Sequence, residues 1–263
     1  MARIAVGVEY DGSAFAGWQS QDGQRTVQQV TEAALARIAA APVALVCAGR
    51  TDTGVHAQGQ VAHFDTPAER LARSWVLGAN SELPADVSLS WAHAVPEHFH
   101  ARYSAQARSY RYLILNRTAR SALHRTRAAF IHRPLDAARM AQACPVLHGE
   151  HDFSAFRSAQ CQAKSAVRCI ERLTVLRVGQ WVVIEVTANA FLHHMVRNIA
   201  GLLIAIGRGD ADPSWAAQVL AGRDRTRNAA TAPPEGLCLL GVRYPEAFGL
   251  PAPGGENYGL DRL

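Results

Sequence analysis

The order of strand-like and helix-like segments constrains the fold most. Strands are recognised by alternation of apolar and polar residues, and helices by apolar residues three and four positions apart. By these criteria each half of the 263-residue chain holds about four strands and two helices, but strands and helices do not alternate regularly. A parallel β-α-β arrangement needs such alternation. The pattern therefore predicts an α+β fold with a mainly antiparallel sheet.

The predicted strands and helices follow one another in a similar order in the two halves. Strands are predicted over residues 3–10, 43–48, 60–65, 87–95, 110–116, 169–178, 181–187 and 237–244, of which 169–178 and 181–187 are expected to form a hairpin joined at Gly179. Helices are predicted over residues 26–40, with Thr26 as N-cap, over 69–79, 135–147 and 191–207, and from Pro213 onward, with Pro145 shortening the third. We therefore expect an N-terminal half over residues 1–104, a C-terminal half over 105–245, and a mobile tail over 246–263, where Pro and Gly are frequent.

Composition excludes several classes of protein. Hydrophobic residues make up 49% of the chain and charged residues 19%, which suits a folded core and argues against an intrinsically disordered chain. No apolar run reaches the ~18–20 residues that span a bilayer, and the N-terminus carries Glu9 and Asp11 where a signal peptide would be apolar. The five scattered cysteines form no CxxC motif and the eleven histidines show no zinc-site spacing. We expect reduced thiols and a cytoplasmic protein.

The basic residues are almost all arginine and are unevenly placed. The chain has 26 Arg and a single Lys, and residues 1–104 carry a net charge of −3 whereas residues 105–263 carry +8. Between residues 98 and 135 there is no acidic residue, and eight arginines occur there: Arg102, Arg108, Arg111, Arg117, Arg120, Arg125, Arg127 and Arg133. A solvated surface usually mixes both signs, so this acid-free stretch favours a polyanionic partner such as RNA. A GC-rich genome is an equally good explanation for the preference for Arg over Lys.

A polar loop between two predicted strands carries a single carboxylate. It contains Arg50, Asp52, Gly54 and His56, and loops that leave a rigid sheet are common positions for reactive groups. Glycoside hydrolysis uses two carboxylates, whereas this loop supplies one. A lone Asp that a nearby Arg holds ionised and oriented suits a nucleophile. The alternative is that Asp52 only caps a turn, as aspartates in loops commonly do.

Two further segments combine aromatic or apolar residues with arginine. Tyr110 and the tyrosine two residues later alternate with Arg111 on a predicted strand, where bases can stack on the rings and phosphates pair with guanidinium groups. The alternative is that both tyrosines belong to the core. In the predicted helix over residues 191–207, Arg197 shares a face with His193 and lies off the apolar seam. The alternative for Arg197 is an ordinary solvated helix arginine.

Six segments of the chain resemble motifs of the tRNA pseudouridine synthase A family. In chain order they are Tyr10-x-Gly12-x-x-Phe15-x-Gly17-Trp18-Gln19; Gly49-Arg50-Thr51-Asp52-Thr53-Gly54-Val55-His56-Ala57; Phe99-His100-Ala101-Arg102 followed by Tyr110-Arg111-Tyr112; Asp152-Phe153-x-x-Phe156; Phe191-Leu192-x-His194-Met195-Val196-Arg197-Asn198-Ile199; and Thr231-Ala232-Pro233-Pro234-Glu235-Gly236-Leu237. Each motif is moderately specific, and six in the family's order make the resemblance strong. Thr53 and Cys238 stand where the family usually has Ala and an aromatic residue, and neither departure removes a reacting group.

The resemblance implies an enzyme that isomerises uridine to pseudouridine at positions 38, 39 and 40 of the anticodon stem-loop of tRNA. It implies a cytoplasmic homodimer that uses no metal and no organic cofactor and has no membrane segment. The fold that it implies has two similar α+β halves, each a mainly antiparallel sheet with helices packed on one face. In the family these halves meet across a central basic cleft.

The resemblance also implies roles for individual residues. Asp52 matches the family's catalytic aspartate, and Arg197 matches the basic partner of that aspartate. Tyr110 matches the tyrosine that stacks on the target base, Arg50 the loop arginine assigned to base flipping, and Leu237 an apolar residue that lines the pocket. Three arginines of the acid-free stretch are further candidates for substrate binding: Arg102, Arg108 and Arg111.

Two other functions fit parts of the same sequence. A non-catalytic RNA-binding module would use the arginines and Tyr110 but would not require Asp52 with Arg197. A small-molecule hydrolase would use Asp52 with His56, and it would need a water-activating partner or a metal, for which the sequence shows no motif. Pseudouridine formation that depends on Asp52 would exclude both.

Overall fold

The computed structural model describes residues 1–252, which contain ten strands and five α-helices. They form two compact units. The first unit combines residues 1–108 with the described chain from residue 238, and the second spans residues 109–237. The last strand within residues 1–252 therefore belongs to the unit that contains residue 1.

The first unit is built on a mainly antiparallel sheet. Its strands are β1 (Ala2–Tyr10), β2 (Val46–Cys47), β3 (His56–Thr66), β4 (Val87–Val95) and β10 (Leu237–Arg243). β1 lies between β3 and β4 and is antiparallel to both, and β2 is antiparallel to β3. β10 is parallel to β3. The prediction of β4 agrees with the structure at both ends, whereas β3 begins four residues before its predicted start.

Strand β1 is buried on both faces at its centre. The alternation of Ile4, Val6 and Val8 predicts a half-buried strand, but every residue from Ile4 to Val8 is buried. On the second face, Trp91 of β4 covers Gly7, because a Cβ atom added to Gly7 would lie 2.2 Å from Trp91 Nε1. Ala5 on the same face belongs to a buried apolar cluster.

Two helices complete the first unit. Helix α1 (Val27–Ala39) begins after Thr26, whose hydroxyl accepts a hydrogen bond from the Gln29 amide at 3.5 Å, as predicted for an N-cap. Helix α2 (Ala72–Glu82) packs on β4 and on α1. Its Trp75 is fully buried and meets Phe64 of β3 edge-on, with ring centroids 5.2 Å apart.

The second unit also has a mainly antiparallel sheet. Its strands are β5 (Ala107–Asn116), β6 (Ala129–Ile131), β7 (Gly149–Asp152), β8 (Val167–Val178) and β9 (Trp181–Ala188). Their order is β5-β9-β8-β7, and the short β6 pairs in parallel with β5. β8 and β9 form the predicted hairpin around Gly179, which has a φ of 57°. The sequence pattern did not predict the short strands β6 and β7.

The helices of the second unit differ from the predictions. They are α3 (Ala137–Gln142), α4 (Met195–Gly207) and α5 (Trp215–Gly222). α4 begins at Met195 and not at Phe191, because His194 adopts a left-handed backbone with a φ of 64°. Eleven of its 13 residues are buried, so it is a core helix and not a one-sided amphipathic one. The predicted helix 135–147 is reduced to α3 and a 3-10 turn that begins at Pro145.

The segment after β10 packs on the first unit as far as it is described. Phe248 meets Phe99 edge-on with ring centroids 5.0 Å apart, and Tyr244 also contacts Phe99 at 5.2 Å. The predicted mobile tail spans 246–263, and its residues 253–263 lie outside the described chain. Within residues 1–252, no helix is both long enough and apolar enough to cross a membrane.

Candidate active site

The loop between β2 and β3 presents Asp52 on a tight turn. The Val55 amide donates a hydrogen bond to the Asp52 carbonyl at 3.1 Å, which closes a four-residue turn. Gly54 occupies the third position of that turn with a φ of 78°, a conformation that strongly favours glycine. The Asp52 side chain is half-buried. The turn therefore fixes the backbone from which the Asp52 side chain projects.

The N-terminal motif forms a cradle around this turn. The Trp18 amide donates to the Thr51 carbonyl at 3.0 Å, and the Gly54 amide donates to the Phe15 carbonyl at 3.4 Å. A Cβ atom on Gly17 would lie 2.6 Å from the Thr51 carbonyl oxygen. Because these contacts are between backbones, the turn is fixed by main-chain positions and not only by side chains.

The start of the same motif holds both ends of the turn. A Cβ atom on Gly12 would lie 1.9 Å from the Val55 carbonyl oxygen, so only glycine allows this approach. Tyr10 Oη and Thr51 Oγ1 share a buried hydrogen bond of 2.7 Å. The N-terminal motif and the Asp52 motif, which are about forty residues apart in the sequence, therefore pack directly against each other.

His56 directly follows the turn and is bound by the same N-terminal motif. The Gly12 amide donates to His56 Nδ1 at 3.1 Å, and Asp11 Oδ1 lies 3.2 Å from that nitrogen. Nδ1 is therefore bound within the protein by the N-terminal motif.

Strand β10 supports the exit of the loop. Cys238 is the parallel partner of His56, so Leu237, the predicted pocket residue, begins β10 one residue before that pair. Leu237 is buried. The sequence connects Leu237 with a pocket only through the resemblance, and in the structure Leu237 begins the strand that pairs with the exit of the Asp52 loop.

Two arginines lie on either side of a buried thiol before the loop. Arg50 and Arg102 are both exposed. Burial raises the pKa of the Cys47 thiol to about 12, and the positive charges of Arg50 and Arg102 oppose that rise. The thiol is therefore protonated at neutral pH and unreactive. Arg50 and Arg102 remain candidates for contact with an anionic substrate.

In the second unit, Tyr110 lies on β5 and is largely buried. Its ring meets Phe191 edge-on, with centroids 5.1 Å apart and planes at 85°. Tyr112, two residues later, is fully buried, and its hydroxyl donates to the Pro233 carbonyl at 2.8 Å. Tyr110 and Tyr112 are therefore both buried, which agrees with the alternative that both tyrosines belong to the core. Phe191, which sequence reasoning gave no role, supports the ring of Tyr110.

Arg197 lies in the first turn of α4 and is half-buried. Its Nε donates to the Ala232 carbonyl at 2.8 Å, and the Ala232 amide donates to the Arg197 carbonyl at 3.1 Å. These two bonds join the C-terminal motif to the helix. His193 lies before the helix begins, so the predicted common helical face with Arg197 does not form.

Asn198 is the polar residue that sequence reasoning missed. It is fully buried, its Nδ2 donates to the Phe156 carbonyl at 2.7 Å, and its Oδ1 accepts from Thr231 Oγ1 at 2.7 Å and from Arg225 at 3.1 Å. The sequence signal that could have identified Asn198 is an uncharged amide inside an otherwise apolar helix. Asn198 connects four segments of the second unit and so fixes the start of α4, where Arg197 lies.

Two of the predicted tRNA-binding arginines have structural contacts. Arg108 is buried, and its guanidinium donates to the carbonyls of Ala105, Ala48 and Arg102 at 3.2, 3.0 and 2.7 Å. Arg111 pairs with Glu185 at 2.7 Å in a half-buried position. A single sequence cannot separate such arginines from exposed ones. We therefore leave Arg108 and Arg111 out of the proposed RNA contacts.

The predicted site residues are divided between the two units. The first unit carries Arg50, Asp52 and Arg102, and the second carries Tyr110 and Arg197. The first thus offers a carboxylate on a turn whose backbone is fixed, together with exposed guanidinium groups. The second offers an aromatic ring and a half-buried guanidinium on regular elements. Nucleophilic attack, base stacking and charge stabilisation are all within the chemistry of these groups.

Comparison with known proteins gives the family. A family model described as tRNA pseudouridine synthase matches residues 6–104 and 143–245. A tRNA pseudouridine synthase A from Methylococcus capsulatus (strain Bath) is 58% identical over 248 residues, which cover 94% of this chain and 92% of that protein. A tRNA pseudouridine synthase A from Pseudomonas aeruginosa is 52% identical and covers 95% and 88% respectively.

Among solved structures, a Cbf5-Nop10-Gar1 complex matches 76% of this chain and 54% of that chain, with a TM-score of 0.33 and 10% identity. That likeness is too low to support an argument. The family match and the high identity to relatives over nearly their whole length do support one. The chain belongs to the tRNA pseudouridine synthase A family, and it is an isomerase that converts uridine to pseudouridine in tRNA.

Proposed function

We propose that the protein modifies positions 38, 39 and 40 of the tRNA anticodon stem-loop and that Asp52 is the nucleophile. We also propose that it acts as a homodimer without a metal or organic cofactor. The observation that carries the proposal is the turn of Asp52, which is held by backbone contacts from the N-terminal motif. A carboxylate carried by a backbone held this firmly suits a reaction that needs one defined direction of attack.

The reaction rearranges bonds within one nucleotide. The bond between uracil N1 and ribose C1′ breaks, the base turns, and a bond forms between C5 and C1′. N1 then carries a proton and C5 loses one, so no atom, electron or water is added overall. Asp52 either attacks C1′ directly or assists loss of the base through a glycal-like intermediate. Both routes place its carboxylate beside the ribose.

The other residues have roles that follow from their chemistry. The target uridine must leave the base stack, which costs a few kcal/mol. In our proposal Arg50 occupies the vacated position, and Tyr110 stacks on the uracil, a contact worth about 1–3 kcal/mol in comparable sites. Arg197 keeps the carboxylate of Asp52 ionised and oriented. Leu237 lines the apolar side of the pocket.

Exposed arginines of the acid-free stretch complete the proposed RNA contact. Arg102 is exposed in the first unit, and Arg120, Arg125 and Arg127 are exposed in the second. Phosphate contacts made by such residues supply most of the affinity for RNA and depend strongly on salt. The proposal thus gives the stretch a role without Arg108 and Arg111, whose guanidinium groups are bound within the protein.

The test uses unmodified tRNA transcripts with the wild type, Asp52→Asn and Asp52→Ala. Pseudouridine is mapped by carbodiimide-dependent primer-extension stops, and tRNA binding is measured separately. We expect stops at positions 38–40 with the wild type and none with either variant, while tRNA binding stays within about threefold. Asp22→Asn is the matched control because Asp22 is an exposed loop aspartate of the same unit.

Each part of the proposal has its own contrary result. Stops outside positions 38–40 would contradict the target assignment and leave Asp52 as the nucleophile. Near-normal turnover in Asp52→Asn would contradict the nucleophile assignment. tRNA binding without any pseudouridine in the wild type would favour the non-catalytic RNA-binding alternative.

A further inference from the structure

An exposed aromatic ring lies in the first unit, close to the catalytic loop. Tyr103 exposes 75% of its surface, whereas Phe99 in the same motif is fully buried. The residue is not among those that the family resemblance associates with the substrate. A single exposed tyrosine is common on protein surfaces, so only the way this ring is held and the charges around it can indicate a ligand.

The ring is held in place and is not on a loose loop. The amides of Arg102 and Tyr103 both donate to His100 Nδ1 at 3.2 Å. The Ser104 amide donates to the His100 carbonyl at 2.8 Å, and the His100 amide donates to Ser104 Oγ at 3.0 Å. The imidazole of His100 packs against the Tyr103 ring at 4.3 Å between centroids and 32° between planes. One face of Tyr103 is thus supported, and binding would need little further ordering.

Arg108 places this turn beside the segment that leads to Asp52. Its guanidinium donates both to the Ala48 carbonyl at 3.0 Å and to the Arg102 carbonyl at 2.7 Å. Because Ala48 precedes Arg50 by two residues, Tyr103 lies close to the start of the catalytic loop. Arg102 itself lies over the Tyr103 ring, with its guanidinium carbon 5.5 Å from the ring centroid.

The charges around the ring favour an anion. Arg50 and Arg102 are exposed, and both act on the Cys47 thiol between them. The segment that carries Tyr103 begins the acid-free stretch. An aromatic face together with guanidinium groups is the combination that binds single-stranded nucleic acid, since every base has a π-face and every linkage a phosphate.

We propose that Tyr103 and Arg102 form a second nucleotide subsite, which binds an unstacked tRNA nucleotide other than the target uridine. The base of that nucleotide stacks on the face of Tyr103 opposite His100, and Arg102 turns away from the ring to pair with a flanking phosphate. The subsite rests on the proposed function in one respect, because it takes the loop of Asp52 as the reaction centre. Its effect is to hold the substrate next to that loop, so it acts on binding and not on the chemical step.

The experiment compares Tyr103→Ala and Tyr103→Phe with the wild type. The dissociation constant for unmodified tRNA is measured by fluorescence anisotropy at one fixed salt concentration, and KM and kcat are measured by tritium release from C5-labelled tRNA. We expect Tyr103→Ala to raise the dissociation constant and KM roughly 5- to 100-fold, since one base–aromatic stack is worth about that much. Tyr103→Phe keeps the ring face and should stay within about twofold. In both variants kcat should change little.

Two controls make the result specific. Leu71→Ala removes a side chain of comparable exposure, 78%, from the same unit, outside the acid-free stretch, and should leave binding unchanged. Tyr103→Leu keeps apolar area without an aromatic face and should behave like Tyr103→Ala. Thermal melting of every variant shows whether a loss of binding reflects a loss of folding, and the exposed position predicts melting points close to that of the wild type.

Several outcomes would overturn the inference. Unchanged tRNA binding in Tyr103→Ala would remove the subsite, and equal losses in Tyr103→Phe would show that the hydroxyl and not the ring makes the contact. A smaller species in sedimentation, with unchanged tRNA affinity, would show that Tyr103 contacts a second copy of the chain. The readout is tRNA binding, so these failures are distinct from a failure of the Asp52 assignment, which is read from pseudouridine formation.

Discussion

The two units hold their functional groups by different means. In the first unit, Asp52 lies on an irregular turn that is fixed by close backbone approaches, for which Gly12 and Gly17 are required. In the second, Tyr110 and Arg197 lie on a strand and a helix, and the buried amide of Asn198 ties that helix to its neighbours. The first arrangement is sensitive to added atoms, and the second is sensitive to lost hydrogen bonds.

The difference has a consequence for how each unit responds to change. A turn can shift by an ångström while the sheet beneath it stays folded, so damage there appears first in activity. Helix α4 is buried on eleven of its 13 residues and cannot shift alone. Damage there should appear first in stability.

The largest effect is expected from matched glycine substitutions in the two units. In Gly12→Ala the new Cβ atom would lie 1.9 Å from the Val55 carbonyl oxygen, and in Gly201→Ala it would lie 2.1 Å from the Ala230 carbonyl oxygen. We expect Gly12→Ala to lower kcat at least about 100-fold through a displaced turn. Gly201→Ala should instead lower the free energy of unfolding by about 3 kcal/mol. Urea titration and steady-state kinetics measure the two quantities.

Gly222→Ala is the control for this pair. Its nearest neighbour atom would lie 3.9 Å from the added Cβ, which is ordinary contact, so neither activity nor stability should fall. A lower free energy of unfolding in Gly12→Ala, with a normal kcat for the folded fraction, would contradict the prediction that damage to the turn appears first in activity.

Acidification should destabilise the first unit at a higher pH than the second, and this effect is smaller than that of the glycine substitutions. Burial, followed by the charges of Arg3 and His100, lowers the pKa of His63 in the first unit to about 4, and Asp65 opposes this. The unfolded chain binds a proton there near pH 6.5, so stability contributed by neutral His63 falls as the pH drops from about 6.5 to 4, by up to about 3 kcal/mol. In the second unit the hydrogen bond from Ser154 lowers the pKa of Asp152 below its ordinary 3.8. Stability from that carboxylate is lost only at still lower pH.

Hydrogen exchange read by mass spectrometry at pH 7, 5.5 and 4.5 tests this order. Free energies of opening in peptides of the first unit should fall before those of the second, after correction for the intrinsic exchange rate. His63→Gln removes the titrating group and should flatten the pH dependence of the first unit. Simultaneous loss of protection in both units would mean that His63 does not control the acid response.

The smallest effect concerns the hydroxyl pair under the Asp52 turn. Tyr10→Phe and Thr51→Val each remove one side of a 2.7 Å hydrogen bond and should each lower the free energy of unfolding by about 1 kcal/mol and kcat by about tenfold, with KM unchanged. The double variant should be no worse than either single one, because both act through the same bond.

Tyr112→Phe is the matched change in the second unit, where the lost bond is to the Pro233 carbonyl at 2.8 Å. It should lower stability by a similar amount with a smaller change in kcat. Thr51→Ser keeps the hydroxyl and should restore kcat. Additive losses of kcat in the Tyr10→Phe/Thr51→Val double variant would show that the two residues act independently.

The sequence predicts regular elements well where local signals agree with packing. Strand β4 has the predicted bounds, and α1 begins after the predicted cap at Thr26. The start of α4 is missed because the left-handed backbone of His194 has no local sequence signal, and the start of β3 is missed because pairing with the distant β10 extends it. Both depend on contacts between residues far apart in the chain.

The candidate site also has a part that the sequence predicts and a part that only the structure shows. The roles predicted for Asp52, Tyr110 and Arg197 come from motifs that resemble a family, and the family membership is confirmed by the comparisons. The cradle that Gly12 and Gly17 build around the turn, and the burial of Arg108, follow only from three-dimensional contacts. Residue type alone does not tell an arginine that binds carbonyl groups from one that faces water.

The return of β10 to the first unit has a consequence for how the protein is made. The ribosome synthesises the whole second unit between the Asp52 loop and Cys238, the strand partner of His56 at the loop's exit. Domains of nascent chains generally fold as they emerge, N-terminal ones first. Here the first unit is completed only after the second has been synthesised, so a translation product that stops before Cys238 lacks the strand that pairs with the exit of the Asp52 loop.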